Sequence, residues 1–419
     1  MGSGHPVNDR PAEGSADFRR AVVALVICQF GLHACVNGMR VAIPLQALSL
    51  GNTVFTVGLL AALFALIPAL FAIAFGLLTD RQGYHWPVRF AAVLSMTAGL
   101  VLSVNNTLVA LCIGAAASGA GSGFGMIAIQ RYASRLSSTA MGRVKVFSWI
   151  GLAPALAGLV SATLTGVLID RVGYRAAFGA LTIFPLITLL ATTWVPAERV
   201  EDSKAQGERT RGRVMDLLKL PMLRRVLVIN WLMAVAWDAH TFVIPIVGHE
   251  RGFSATEIGG IFASFSLAAI LVRLVIPFLP NSISTRALLS IPMLLAAAAF
   301  LIYPFLETAW AMCLCAFAFG LALGCAFPTL LSTMHEVSPA GRQGEALAVR
   351  STLTQMSLTV MPVIFGAVGV AIGSSVLLWT IAAGLCVGAM QTRSLNVTGL
   401  GENEKAQDKP PTPNARDTG

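Results

Sequence analysis

The sequence predicts an all-α integral membrane protein with twelve transmembrane helices in two pseudo-symmetric six-helix halves. Three observations carry that prediction. The 419 residues are 56% hydrophobic and only 12% charged, half the charged share of about 25% in soluble domains. A membrane span needs roughly 20 apolar residues, so twelve would use about 240 positions, close to the number of apolar side chains present. Finally, the two halves of the chain repeat one another at a near-constant offset. This composition excludes a soluble α/β enzyme, a disordered chain and a secreted disulfide scaffold. A mean hydropathy of +0.74 agrees.

Residues 1–20 are polar and are expected to form a cytoplasmic N-terminal tail. The apolar run after Arg20 is too long for a signal-peptide core, so it is read as an uncleaved first span. Apolar segments follow at 21–48, 54–78, 87–104, 108–130, 146–168 and 177–195, making an N-terminal half over 21–195. Residues 196–224 carry Glu198, Asp202, Arg209 and Arg213 and are read as a cytoplasmic central loop. A second half over 225–391 holds segments at 225–247, 257–279, 287–305, 309–333, 347–372 and 375–391. The remaining 392–419 is polar and Pro-containing, and is expected to be a disordered cytoplasmic tail.

Lysine and arginine set the orientation. Of the 29, 24 fall at one membrane side, including Arg81, Arg131, Arg135 and the central loop. Only Arg171, Arg175 and Arg251 fall at the other, and Arg40 and Arg273 lie within spans. The positive-inside rule then puts both termini in the cytoplasm. It also accounts for the formal charge of +9, so no nucleic-acid partner is needed. The seven cysteines all sit in apolar runs without CxxC or zinc spacing, so neither a disulfide framework nor a structural metal is expected.

At an offset of 201 residues, Ile43-Pro44 falls on Ile244-Pro245, Gly51 on Gly252, Gly58 on Gly259 and Phe64 on Phe265. At 199, Gly121 and Gly125 fall on Gly320 and Gly324, and Gly142-Arg143 on Gly341-Arg342. Duplicated six-span halves are characteristic of secondary transporters, whose substrate site lies at the repeat interface near the bilayer midplane.

Between spans 2 and 3 stands Gly76-Leu77-Leu78-Thr79-Asp80-Arg81-Gln82-Gly83-Tyr84-His85. It resembles the loop motif of the major facilitator superfamily, and the twelve spans and central loop extend that resemblance over nearly the whole chain. The resemblance implies a conformational latch at the cytoplasmic side. Gly76 and Gly83 would allow close helix approach and a tight turn, and Asp80 and Arg81 would make polar contacts, with Arg131 or Arg135 as partners. The second-half counterpart is eroded, with Pro277 and Asn281 in the places of Gly76 and Asp80. A further copy, Gly166 to Arg175 with Asp170-Arg171 at its centre, lies after span 5 on the opposite face and is read as structural.

Gly151-Leu152-Ala153-Pro154-Ala155-Leu156-Ala157-Gly158 resembles a weakened form of the family's antiporter motif. The arginine of the drug/proton antiporter pattern is missing, since Ala115 precedes Ser118-Gly119. The glycines at 119, 121, 123 and 125 follow no strand and precede no Lys-Ser/Thr, so they do not form a phosphate loop. Small residues at four-residue spacing instead let membrane helices pack closely.

Polar groups within a span are costly and mark function. In span 1, Gln29, His33, Asn37 and Arg40 sit at about 0°, 40°, 80° and 20° around the helix. In span 7, Asn230, Trp237, Asp238 and Thr241 sit at about 0°, −20°, 80° and 20°. Under the 201 offset, Gln29 falls on Asn230, Asn37 on Asp238 and Arg40 on Thr241. Two symmetry-related helices would thus wall one cavity, with Gln355 of span 11 as a weaker third wall. Asp238 is the acidic residue deep within a span, and a desolvated carboxylate must find a cation or a proton. Exchange between Arg40 and a proton would couple transport to protons, whereas a permanent Arg40–Asp238 pair would only pin the halves. Arg40 could also bind a carboxylate or phosphate bidentately. Arg273, near a span end, is left out because snorkelling suffices there.

The expected function is therefore secondary active transport of a small organic solute by alternating access. Coupling to protons is expected, with export of a metabolite or drug-like compound slightly favoured. The alternatives are proton-coupled uptake of an organic anion held by Arg40, and a membrane sensor that binds solute without moving it. No cofactor is implied, since no ATPase motif, metal cluster or nucleophile–base pair lies within the spans. The expected setting is a monomer in the inner (plasma) membrane, with a small-molecule substrate, protons and the bilayer as its partners.

Overall fold

A computed structural model describes residues 15–137, 140–196, 217–275, 284–339 and 342–392. Among these, twelve helical spans are long and apolar enough to cross a membrane. Span 1 is Ala16–Ser49, span 2 Val54–Gln82, span 3 His85–Val104, span 4 Leu108–Leu136 and span 5 Ala140–Val172. Span 6 is built from Tyr174–Leu181, Ile183–Ala191 and a 3₁₀ turn over Thr192–Trp194. Span 7 is Pro221–Glu250, span 8 Ala255–Val275, span 9 Thr285–Ile302, span 10 Ala309–Val337, span 11 Gln343–Ile372 and span 12 Ser374–Thr392. Pro277, Asn281, Gly341, most of the central loop and the C-terminal tail lie outside the described residues.

Several spans outrun the apolar segments of the sequence, as span 2 does by running on to Gln82 and span 4 to Leu136. Thr53, Thr107 and Ser284 accept hydrogen bonds from the amides of Thr56, Ala110 and Ala287 at the helix starts, satisfying donors that have no partner within the helix. Span 6 breaks at Thr182, three residues before Pro185, whose ring removes a donor from the ladder. The turns remote from the chain termini pass through Gly51, Gly173, Gly252 and Gly373, each at positive φ, a conformation that glycine adopts without a Cβ penalty. That end of the bundle is the far end below, and the end carrying both termini is the near end.

The halves meet along two glycine-lined seams at the far end. A Cβ on Gly58 of span 2 would run into the Pro362 carbonyl of span 11, and one on Gly259 of span 8 into the Ala162 carbonyl of span 5. Gly366 and Gly166 complete the two seams from spans 11 and 5. Asp170 bridges the halves at the same end, its carboxylate accepting from the amides of Ala255 (3.0 Å) and Thr256 (2.7 Å) at the start of span 8. The motif copy read as structural is thus a cap that one half places on a helix of the other.

Packing also corrects the repeat register in spans 4 and 10. Gly119 lies against the backbone of Phe64 and Gly123 against Pro68, while Gly320 lies against Phe265 and Gly324 against Ala269. The equivalent pairs are therefore Gly119 with Gly320 and Gly123 with Gly324, at the same offset of 201 that relates Phe64 to Phe265. The offset of 199 matched glycines one pair out of step, because a run of alternate glycines fits two registers equally well.

Candidate functional site

A cavity of about 360 Å³ lies between the halves, lined from spans 1, 2, 4, 5, 7, 8 and 11. His33, Asn37 and Arg40 face it from span 1, Trp237 and Thr241 from span 7, and Gln355 from span 11. A second pocket of about 40 Å³ adjoins it, and there Arg40, Phe64 and Thr241 meet Asp238, Phe242 and Pro362. Arg40 lines both spaces.

Six of the nine polar residues singled out in the sequence thus reach the larger cavity, and Asp238 reaches the smaller one. Gln29 and Asn230 reach neither. Gln29 is buried, its carbonyl oxygen taking the Nδ1 proton of His33 at 3.0 Å and its side-chain Oε1 without a partner among the described residues. Asn230 is held by span 11, donating to Thr354 at 3.4 Å and accepting from Arg350 at 3.2 Å. Helical angle fixes the face of a residue and not its depth, and Asn230 sits seven residues, or about 10 Å, nearer the near end than Trp237.

Asp238 is buried, and its Oδ2 accepts from the Ser357 hydroxyl at 2.9 Å. No ion pair within 4.0 Å joins it to Arg40 among the described residues. The Arg40 guanidinium instead lies over the Phe64 ring, 5.6 Å from its centroid, a cation–π contact. Thr241 spends its hydroxyl on the Trp237 carbonyl at 2.9 Å, and Asn37 donates to the Pro154 carbonyl of span 5 at 3.4 Å. Trp237 packs edge-on against Phe265 with centroids 4.9 Å apart.

Two basic lining residues, His240 and Arg273, lie outside the set singled out in the sequence. His240 sits at about −80° on span 7, off the polar stripe, and packs among Phe262, Phe265, Phe319 and Tyr303 with its Nδ1 3.2 Å from the Tyr303 hydroxyl. An intramembrane histidine was itself a signal that could have found it. Arg273 does not merely snorkel: it lines the cavity and donates to the Gly151 carbonyl of span 5 at 2.9 Å.

Asp80 pairs with Arg131 at 2.7 Å, which joins span 2 to span 4 within one half. Gly83 takes positive φ and makes the turn, and Arg81 is exposed. Beside Gly76, nothing among the described residues lies within 4 Å of where its Cβ would be.

Two six-span halves around one central cavity define a multi-pass helical membrane protein. The chain belongs to the Major Facilitator Superfamily, whose family model matches residues 25–237 and 226–413. It is 23% identical over 302 residues to the inner membrane transport protein YajR of Escherichia coli (strain K12), covering 71% of this chain and 65% of that protein, just under two thirds of its length. It is 25% identical over 142 residues to an uncharacterized transporter of Buchnera aphidicola subsp. Schizaphis graminum (strain Sg), covering 33% of this chain and 35% of that one. Among solved structures it is similar to a POT family transporter in complex with 5-aminolevulinic acid, with a TM-score of 0.70 at 16% identity, covering 88% and 95% of the two chains. The human organic anion transporter MFSD10 (TETRAN) has a TM-score of 0.65 at 17% identity, covering 90% and 99%. At such identities the likeness to these structures is one of fold.

Proposed function

We propose that the protein is a secondary active transporter in the inner membrane that moves a small organic solute by alternating access, coupled to protons through Asp238. The observation that carries this reading is the position of Arg40, which lines both the central cavity and the pocket holding Asp238. A solute in the cavity and a charged Asp238 would compete for one guanidinium. Protonation of Asp238 leaves Arg40 to the solute, and its deprotonation draws Arg40 back. The Ser357 hydroxyl holds the carboxyl in place in either state, because a hydroxyl both donates and accepts.

Separate spaces for solute and proton favour co-transport over exchange. Two ligands that fit at once can cross together, whereas antiport follows most simply from one shared site. Uptake driven by an inward proton gradient is thus the direction the geometry supports, in place of the export favoured by the span 5 motif. A cytoplasmic near end is supported by the lysine and arginine asymmetry, and an inner-membrane setting by the bacterial relative. Alternating access would then open the far-end seams at Gly58–Pro362 and Gly259–Ala162 as the near end closes.

The test is reconstitution. Purified protein in proteoliposomes should accumulate a solute, chosen by its stabilisation of the protein on heating, when the outside is made acidic, and a protonophore should abolish accumulation. Binding without flux would favour the sensor reading instead.

A further inference from the structure

The Arg40 guanidinium has five N–H donors, yet none has a hydrogen-bond or ion-pair partner among the described residues: it lies over the Phe64 ring and shares the small pocket with Asp238 without pairing to it. A cation inside a membrane bundle without an acceptor is costly, so its position needs a counter-charge. The cavity wall offers none: its described lining includes Arg40, Arg273, His33 and His240 and no Asp or Glu. The one acid nearby, Asp238, is in the adjoining pocket, bonded to Ser357.

Resting on the transporter reading above, we infer that the cavity takes a small organic carboxylate, its two oxygens held by Arg40 and its apolar part laid against Trp237 and Phe265. The planar fork of a guanidinium matches a carboxylate with two parallel hydrogen bonds. The Trp237–Phe265 pair supplies an apolar, polarizable surface within the same space. A cavity of about 360 Å³ is at the small end of the range for small-molecule sites, about 300–1,000 Å³, which suits a single-ring or short-chain acid.

The carboxylate and the Asp238 proton are then linked. The groups facing Asp238 are Arg40 from span 1 and Ser357 from span 11, while span 2 brings only Val57, Ala61 and Phe64 to that pocket. On its own helix, His240 is turned to Tyr303 and Thr241 to the Trp237 carbonyl. Protonating Asp238 removes the one internal competitor for Arg40, so carboxylate affinity rises as pH falls.

The experiment is calorimetric titration and thermal melting of the full-length purified protein with benzoate, phenylacetate and 3-phenylpropionate, against their amides and the matching amines. We expect at least one carboxylate to bind and raise Tm, with its amide and amine at least tenfold weaker. Arg40→Gln should weaken carboxylate binding at least tenfold and Arg40→Lys less, the two being compared at equal folded fraction. If Arg40→Gln fails to fold, Arg40→Lys together with the amide comparison decides. Wild-type affinity should rise several-fold from pH 8 to pH 6, and Asp238→Asn should bind with that pH dependence lost. Equal binding of amides or amines, no carboxylate binding, or undiminished binding by the folded Arg40 variants would overturn the inference. All of this is read without a gradient. Carboxylate binding without proton-driven flux would uphold this inference and sink the coupling, and proton-driven flux of a neutral solute without carboxylate binding would do the reverse.

Discussion

Arg40 and Asp238 line the same small pocket from opposite halves of the molecule, yet no ion pair joins them: Asp238 accepts from Ser357, and Arg40 lies over Phe64. A fixed pair pinning the halves is thus not the arrangement observed. Breaking a buried ion pair by removing one partner costs about 3–5 kcal/mol. Asp238→Asn should instead lower stability by less than about 2 kcal/mol, the scale of one imperfect buried hydrogen bond. Thermal melting in detergent checks this. A large loss in the single variant that Arg40→Gln then rescues would reinstate the fixed pair.

Asp80→Asn removes the charge that pairs with Arg131 at constant size. Asp80 is half exposed but Arg131 only 10% exposed, so the loss should be near the upper end of the surface-pair range, about 1 kcal/mol, and the variant should still insert and fold. Its transport rate should nevertheless fall several-fold if the pair stiffens spans 2 and 4 for the conformational switch. An unchanged rate across a full solute titration would leave the motif as a plain turn.

The far-end cap offers a conformational test. Asp170→Asn weakens a charged cap on span 8, a change of about 1 kcal/mol, enough to shift a two-state equilibrium roughly fivefold. Gly166→Leu should act more strongly, because its Cβ would lie 2.9 Å from the Thr256 Cα. Spin labels at the exposed positions Val172 and Phe305 should report longer distances across the far end in both variants. Identical distance distributions would show that the seam tolerates the added bulk.

Topology can be read by cysteine labelling in cells. Single cysteines at Asn105 and Gly373 should react with an impermeant reagent from outside, and positions in 200–212 should not. Labelling of the central loop from outside would reverse the assigned orientation.

Much of this was legible in the sequence, for definite reasons. Twelve apolar segments must be helices, since a bilayer leaves the backbone no other partners, and the 201-residue repeat follows from duplicated packing at Phe64 and Phe265. The shared face of His33, Asn37 and Arg40 was legible because angle around a helix depends on spacing alone. Depth was not, which is why Gln29 and Asn230 drop out of the cavity wall. Arg273 was hidden because a basic residue near a span end can satisfy itself at the surface, and only the fold reveals the Gly151 carbonyl opposite it. The open space beside Gly76 was illegible for a similar cause: a glycine permits close approach but does not enforce it.

The central claim is that Asp238 carries the proton that crosses with the solute. The most direct measurement follows lumenal pH in proteoliposomes, with the membrane potential clamped, as a binding solute that does not leak through protein-free vesicles flows outward. Wild-type protein should carry protons out with the solute and make the lumen alkaline, while Asp238→Asn should still exchange solute with no pH change. A solute-dependent pH change that persists in Asp238→Asn would contradict the account.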